Sequence, residues 1–206
     1  MKKDRTNLIL VLIFIIGLSV MLYPTVSDYW NSRTQSRAVA TYNETVESMS
    51  EEDYEEMFQE AEAYNEALSQ VSMPFVNFDQ VAGYEDILDV SGTGIMGYVT
   101  IEKIRVELPI YHGTEDSVLQ IAAGHLQGSS LPIGGAGTHS VISAHRGLPS
   151  ARLFTELDEL EVGDTFTITV LDRQMTYQVD QIRIVEPQEI EELQIDPEKD
   201  YCTLMT

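Results

Sequence analysis

Residues 97–111 read GYVTIEKIRVELPIY. GYVTI (97–101) and KIRVELPIY (103–111) alternate or run apolar over strand lengths, and both are rich in β-branched and aromatic residues. The texture continues towards the C-terminus. SVISA (140–144) is a short β-branched run. DTFTITVLDRQMTYQVDQIRIVE (164–186) reads as two strands joined at Asp172-Arg173, and YCTLMT (201–206) as a last strand. DSVLQIAAG (116–124) and LFTELDEL (153–160) are short helix candidates. Several short strands with few helices predict a mainly β domain over 96–206, closed or partly closed into a barrel.

Upstream of this domain the pattern changes. Leu8 to Val26 is a run of 19 residues without a charge. As a helix it spans ~28 Å, close to the ~30 Å hydrocarbon core of a bilayer. Lys2, Lys3 and Arg5 precede it, which predicts a cytoplasmic N-terminus and everything after Trp30 on the outer side. Tyr23, Tyr29 and Trp30 suit the far membrane interface. Residues 1–30 are therefore expected to be an uncleaved anchor rather than a signal peptide, since no small-x-small cleavage site follows promptly. Residues 31–42 read as a polar linker. NETVESMSEEDYEEMFQEAEAYNEAL (43–68) holds ten acids and no Lys or Arg. Tyr42, Val46, Met49, Met57, Ala61, Tyr64 and Leu68 recur at steps near three and four, which predicts an amphipathic helix packing one face on its own domain. The linker and acidic helix together occupy 31–72. Residues 71–95 mix Pro, Gly and Asp with Phe75 and Phe78, an irregular segment whose two rings plug a groove or fasten the loop.

Formal net charge is −22 with a pI near 4.2. Nucleic acid is excluded as a partner, because phosphate neutralisation needs clustered Lys and Arg. The one cysteine, Cys202, rules out an intramolecular disulfide.

Four histidines are available: His112, His125, His139 and His145. Their spacings match no close ligand pair and no second cysteine helps, so no metal site is expected. His145 stands apart by context. It ends a buried strand ahead of a Gly-Leu-Pro turn, and strand ends opening into loops are where scaffolds present reactive groups. Cys202 with His145 is the obvious nucleophile–base pair.

The blocks GYVTIEKIRVELPIYHGT, GHLQGSSLPIGGAGTHSVISAHRGLPSARLFTELDEL, GDTFTITV, YQVDQIRIVEP and DYCTLMT, in that order, resemble the class C (pilin-polymerising) sortases. LYPTVSDYWN (22–31) resembles the membrane exit of the same group. The resemblance implies a sortase-like β-barrel, incomplete at its C-terminus, with short helices, preceded by a transmembrane helix and an acidic amphipathic helix. In that family the final strand carries Thr-Leu-x-Thr-Cys, and its Cys is the nucleophile. Thr203, Leu204, Met205 and Thr206 match the first four positions. The nucleophile and a catalytic Arg on the following strand are then expected beyond Thr206, and the 206-residue chain by itself is expected to be inactive. Cys202 does not stand in for that nucleophile. It lies five positions before it, so the two side chains face opposite sides of the strand, ~17 Å apart. Arg146 adjoins His145 and points away from the side His145 serves.

What the resemblance implies is a membrane-anchored cysteine transpeptidase needing no cofactor. It cleaves LPXTG-like sorting signals of surface proteins and joins pilins through lysine isopeptide bonds, with His145 as general acid and base. Members of the class carry a lid with an Asp-Pro-aromatic motif. Met73, Pro74 and Phe75 occupy the matching place within 73–95, Met replacing Asp, which implies a looser lid. A non-catalytic anchored domain that binds sorting signals or pilins is the alternative.

Overall fold

In the computed structural model, residues 2–186 and 189–206 are described, with the side chains of residues 2–5 and 191 excepted. Lys2, Lys3 and Arg5, which carry the orientation argument, therefore contribute backbone only, and Pro187 of the fourth block lies outside the described residues.

Seven strands form one sheet: β1 Ile95–Ile101, β2 Val106–His112, β3 Ala123–His125, β4 Thr138–Ser143, β5 Thr165–Val170, β6 Arg173–Gln178 and β7 Asp200–Met205. Their order, β6-β5-β1-β2-β3-β4-β7, curls into a nearly closed barrel. β1 and β2 pair antiparallel, with Val99 opposite Leu108 and Ile101 opposite Val106. Gly97 sits at a register shift in β1, where a Cβ would collide with the carbonyl of Thr169 on β5. β2 pairs β3 in parallel, and β4 pairs β7 in parallel. Within 97–111, Glu102–Ile104 form a 3-10 turn and Arg105 takes a left-handed φ of 53°, so the second strand starts at Val106 rather than Lys103.

Among the described residues, four α-helices accompany the sheet. α1, Lys2–Glu47, is continuous through 46 residues. The segment 31–42 is thus helical and not a linker. The reason lies on one face: Asp28, Asn31, Gln35, Val39, Tyr42 and Val46 recur at steps of three and four, and this stripe lies against the barrel. Tyr42 is buried; its hydroxyl donates to the Met96 carbonyl (3.1 Å) and accepts from the Leu171 N–H (2.8 Å). The acidic helix expected over 43–68 is broken. Its first turn belongs to α1, and α2, Glu51–Ser69, starts anew after Ser50. Ser50 and Asp53 form a reciprocal capping box, which satisfies two backbone donors and fixes the break. Phe58, Ala61, Tyr64 and Leu68 of α2 are buried in the barrel core, as the periodicity predicted for the last three. Burying each large side chain contributes ~1.5–3 kcal/mol. The carboxylates of α2 line its outer face.

α3, Pro74–Asn77, and α4, Asp116–Leu119, are single turns. The helix expected over 153–160 is reduced to turns and one 3-10 turn, Leu157–Glu159. The second hairpin strand stops at Gln178 instead of running to Glu186; Ile182, Ile184 and Val185 are exposed and meet no partner strand among the described residues.

Candidate active site

β4 and β7 build the candidate site. Their parallel register places His139 beside Tyr201, Ser140 beside Cys202, Val141 beside Thr203 and Ser143 beside Met205. The Ala144 N–H continues the ladder to the Met205 carbonyl (3.1 Å). His145 opens the loop that returns at Phe154, whose N–H donates to the His145 carbonyl (3.1 Å). Phe154 is fully buried and anchors that return. Arg146 turns outward and pairs with Asp158 (2.8 Å), both on the surface.

The four histidines divide by what their rings hold. His125 is completely buried on β3. Its Nε2–H donates to the Ser130 carbonyl (2.8 Å) and its Nδ1 accepts from the Tyr84 hydroxyl (2.9 Å). Burial lowers its pKa to about 4, so the ring is neutral near pH 7. His139 is held twice: Nδ1–H donates to the Gln194 carbonyl (3.1 Å) and Nε2 accepts from the Thr203 hydroxyl (2.8 Å). Burial lowers its pKa too. The His112 ring lies between the carbonyls of Gly94 (3.0 Å) and Ile87 (2.8 Å), fastening the 83–94 loop to β2. His145 alone has a half-buried ring without a hydrogen-bond partner among the described residues.

Cys202 is on the other side of β7. It packs against the barrel core, beside Ser140, and burial pushes its thiol up to about 12. A thiol held neutral is a poor nucleophile. The structure therefore separates Cys202 from His145, as strand alternation requires. No cluster of His, Cys, Asp and Glu among the described residues has the arrangement of a metal site.

The segment 73–95 contains α3. Met73 precedes it with a left-handed φ of 55° and is 63% exposed, and Pro74 takes the first helical position. Gly128, just past β3, is the surface under this turn. A Cβ there would lie 2.8 Å from the Pro74 carbonyl oxygen and 2.9 Å from the Phe75 Cα. Phe75 is half-buried. Among the described residues no hydrogen bond joins Met73, Pro74 or Phe75 to His145.

Two arrangements were missed from sequence: the His139 ring, which bridges Thr203 of β7 and Gln194 of the 189–199 segment, and the Tyr84–His125 bond under the loop. Both join residues more than 40 positions apart. The only local signal was that Thr203 and His139 each interrupt apolar strand texture.

A family model for the sortase domain matches residues 99–206. Sortase D of Bacillus subtilis is 30% identical over 110 residues, covering 53% of this chain and 52% of that protein. The chain spans about half the length of the curated relatives it matches. The crystal structure of sortase C1 from Streptococcus agalactiae superimposes with a TM-score of 0.73 at 46% identity, covering 82% of this chain and 88% of that one. A sortase C from Streptococcus pneumoniae, described for its catalysis and pilin substrate specificity, gives 0.72 at 42% identity over 82% and 86%. The family model spans more than half of the residues and these solved structures share the barrel, so the chain belongs to the sortase family.

Proposed function

We propose that this chain is the anchor and most of the catalytic barrel of a class C sortase, a transpeptidase acting on LPXTG-like sorting signals. The observation that supports this reading is the parallel β4–β7 register, which runs to Ser143 beside Met205; continued by two residues, it would set the position after Thr206 level with His145. A cysteine at that position is the nucleophile, and an arginine on the next strand holds the developing oxyanion. The cysteine thiolate attacks the Thr carbonyl of the sorting signal. His145 gives a proton to the departing Gly amine as the peptide C–N bond breaks and the thioester remains. A lysine amine of a pilin then attacks the thioester, His145 takes its proton, and the thiolate leaves. The pilin assignment draws on the sortase C neighbour described for pilin substrate specificity.

Residues 1–30 act as the membrane anchor, with the domain outside the cytoplasm. α1 is the one described helix long and apolar enough to cross a membrane. Residues 31–72 mount the barrel, 73–95 serve as a lid carried by Met73, Pro74 and Phe75, and 96–206 supply the catalytic barrel.

The test is intact mass and C-terminal peptide sequencing of the protein from its native membrane, followed by incubation with an LPXTG peptide. Cysteine directly after Thr206, and a covalent adduct on it, are expected. Another residue there with peptide binding retained would mean a non-catalytic binding domain; cysteine without adduct would overturn the assignment of His145.

A further inference from the structure

We infer that the loop following His145 is held inside the lipid headgroup layer, so that the barrel rests on the bilayer rather than standing off it; this builds on the membrane-anchor reading above. Three hydrogen bonds join the barrel to α1 just past the apolar run. Asp28 accepts from the Arg152 N–H (2.8 Å), Asn31 donates to the Ser150 carbonyl (2.8 Å), and Gln35 donates to the Ile121 carbonyl (2.7 Å).

Height follows from helix geometry. If the apolar run ends at Val26, Asp28 lies ~3 Å and Asn31 ~7.5 Å farther along the axis. The headgroup layer is ~5–8 Å thick on each side of the hydrocarbon core. Atoms bonded to Asp28 and Asn31 therefore lie within that layer, and so do Ser150 and Arg152. Farther out, buried Val39, Tyr42 and Val46 fasten the same helix face to the core. Polar bonds near the bilayer and apolar packing away from it make one continuous mount.

The chemistry of the junction fits a phosphate-bearing surface. Between α1 and the barrel runs a groove of about 200 Å³, lined by Ser32, Ser36, Arg105 and Arg152 and also by the acids Asp28, Glu107 and Glu156. The Arg152 guanidinium pairs with Glu156, and its backbone N–H donates to Asp28. Arg105 has no ion pair among the described residues, and Arg33 and Arg37 are exposed on the same stretch of α1. Guanidinium groups match phosphate oxygens bidentately. With Arg33 and Arg37 beside it, the junction sets four guanidinium groups against three carboxylates, whereas every charged residue of α2 is an acid. A sorting signal emerging close to the bilayer would meet the His145 loop at once.

The experiment uses the whole 206-residue chain in phospholipid nanodiscs whose headgroups carry a nitroxide quencher. Trp30 is the single tryptophan and reports the anchor. A fluorophore on Ser150→Cys, in a Cys202→Ala background, reports the loop, and one on Glu62→Cys reports α2. Quenching at position 150 as strong as at Trp30, with little at position 62, is expected. Strong quenching at Trp30 with none at 150 would overturn the inference and leave the anchor intact. No quenching at Trp30 would overturn the anchor reading and the inference with it. The pair Asp28→Ala and Asn31→Ala should lose most of the signal at 150 while Trp30 keeps its own; an unchanged signal at 150 would show that these bonds do not set the height.

Discussion

β4 bears one histidine inside it and another two residues past its end, and the two have opposite lives. His139 has both ring nitrogens occupied, one by a loop carbonyl and one by the Thr203 hydroxyl. His145, six positions on, has neither occupied among the described residues and opens into a loop. Residue type is the same; partner supply is not. A histidine whose lone pair and N–H are spent on the fold can orient neighbours but cannot exchange protons with a substrate without breaking those bonds. The sharpest way to break this contrast is to remove each ring in turn, in protein that carries the proposed cysteine. His145→Ala should cut transpeptidation by ~10²–10⁴-fold and move stability by only ~0.5 kcal/mol. His139→Ala should do the reverse. It strands the Gln194 carbonyl and the Thr203 hydroxyl, at a cost of ~1–3 kcal/mol in denaturant unfolding. Equal losses of rate in both variants would erase the distinction.

His125 extends the contrast to pH. Its folded pKa is depressed to about 4 from 6.5. The unfolded chain therefore binds a proton that the folded state refuses. The stabilisation is fully present above the unfolded pKa of ~6.5 and is lost as pH falls towards ~4, by about 3 kcal/mol in total. His139, lowered in the same direction, adds to the loss. Urea midpoints between pH 7 and pH 4 should fall steeply for the parent chain. The fall should be shallower for His125→Gln, whatever that variant's own stability. Parallel curves for the two proteins would show that His125 does not supply the slope.

The barrel was legible in the sequence because its signals are local. Strand texture at 97–101, 140–144 and 165–170 survives into β1, β4 and β5, and period-two alternation already placed Cys202 on the core-facing side of its strand. The mount was not legible. Residues 31–42 look like linker because their docking stripe begins with Asp28, Asn31 and Gln35, polar residues that bond backbone rather than bury apolar surface, and a hydrophobicity pattern ignores them. The break at Ser48–Ser50 lay in plain view as Ser50-x-x-Asp53, but the apolar spacing ran across it and hid it. The overreach at 179–186 had the opposite cause. Ile182, Ile184 and Val185 have strand propensity, yet a strand needs a neighbour, and none is described beside them.

Met73 carries the smallest effect, and its backbone conformation is strained. It holds a left-handed φ of 55° with an exposed side chain and no capping bond from it, while its carbonyl accepts the N–H groups of Val76 (2.9 Å) and Asn77 (3.1 Å). Met in this region bears the full Cβ strain, ~1–2 kcal/mol. Asp tolerates the conformation better because its short side chain bonds locally. Met73→Asp should therefore recover about 1 kcal/mol and favour the closed arrangement of α3 on Gly128 by ~5-fold. Amide exchange at Val76 and Asn77 should slow by that factor. In protein bearing the proposed cysteine, alkylation of that thiol should slow in parallel. Slower exchange with unchanged alkylation would mean that α3 is a well-made turn that covers nothing reactive. Unchanged exchange would mean that Met73 is not the loose point of the segment, and that Phe75 against Gly128 sets its stability.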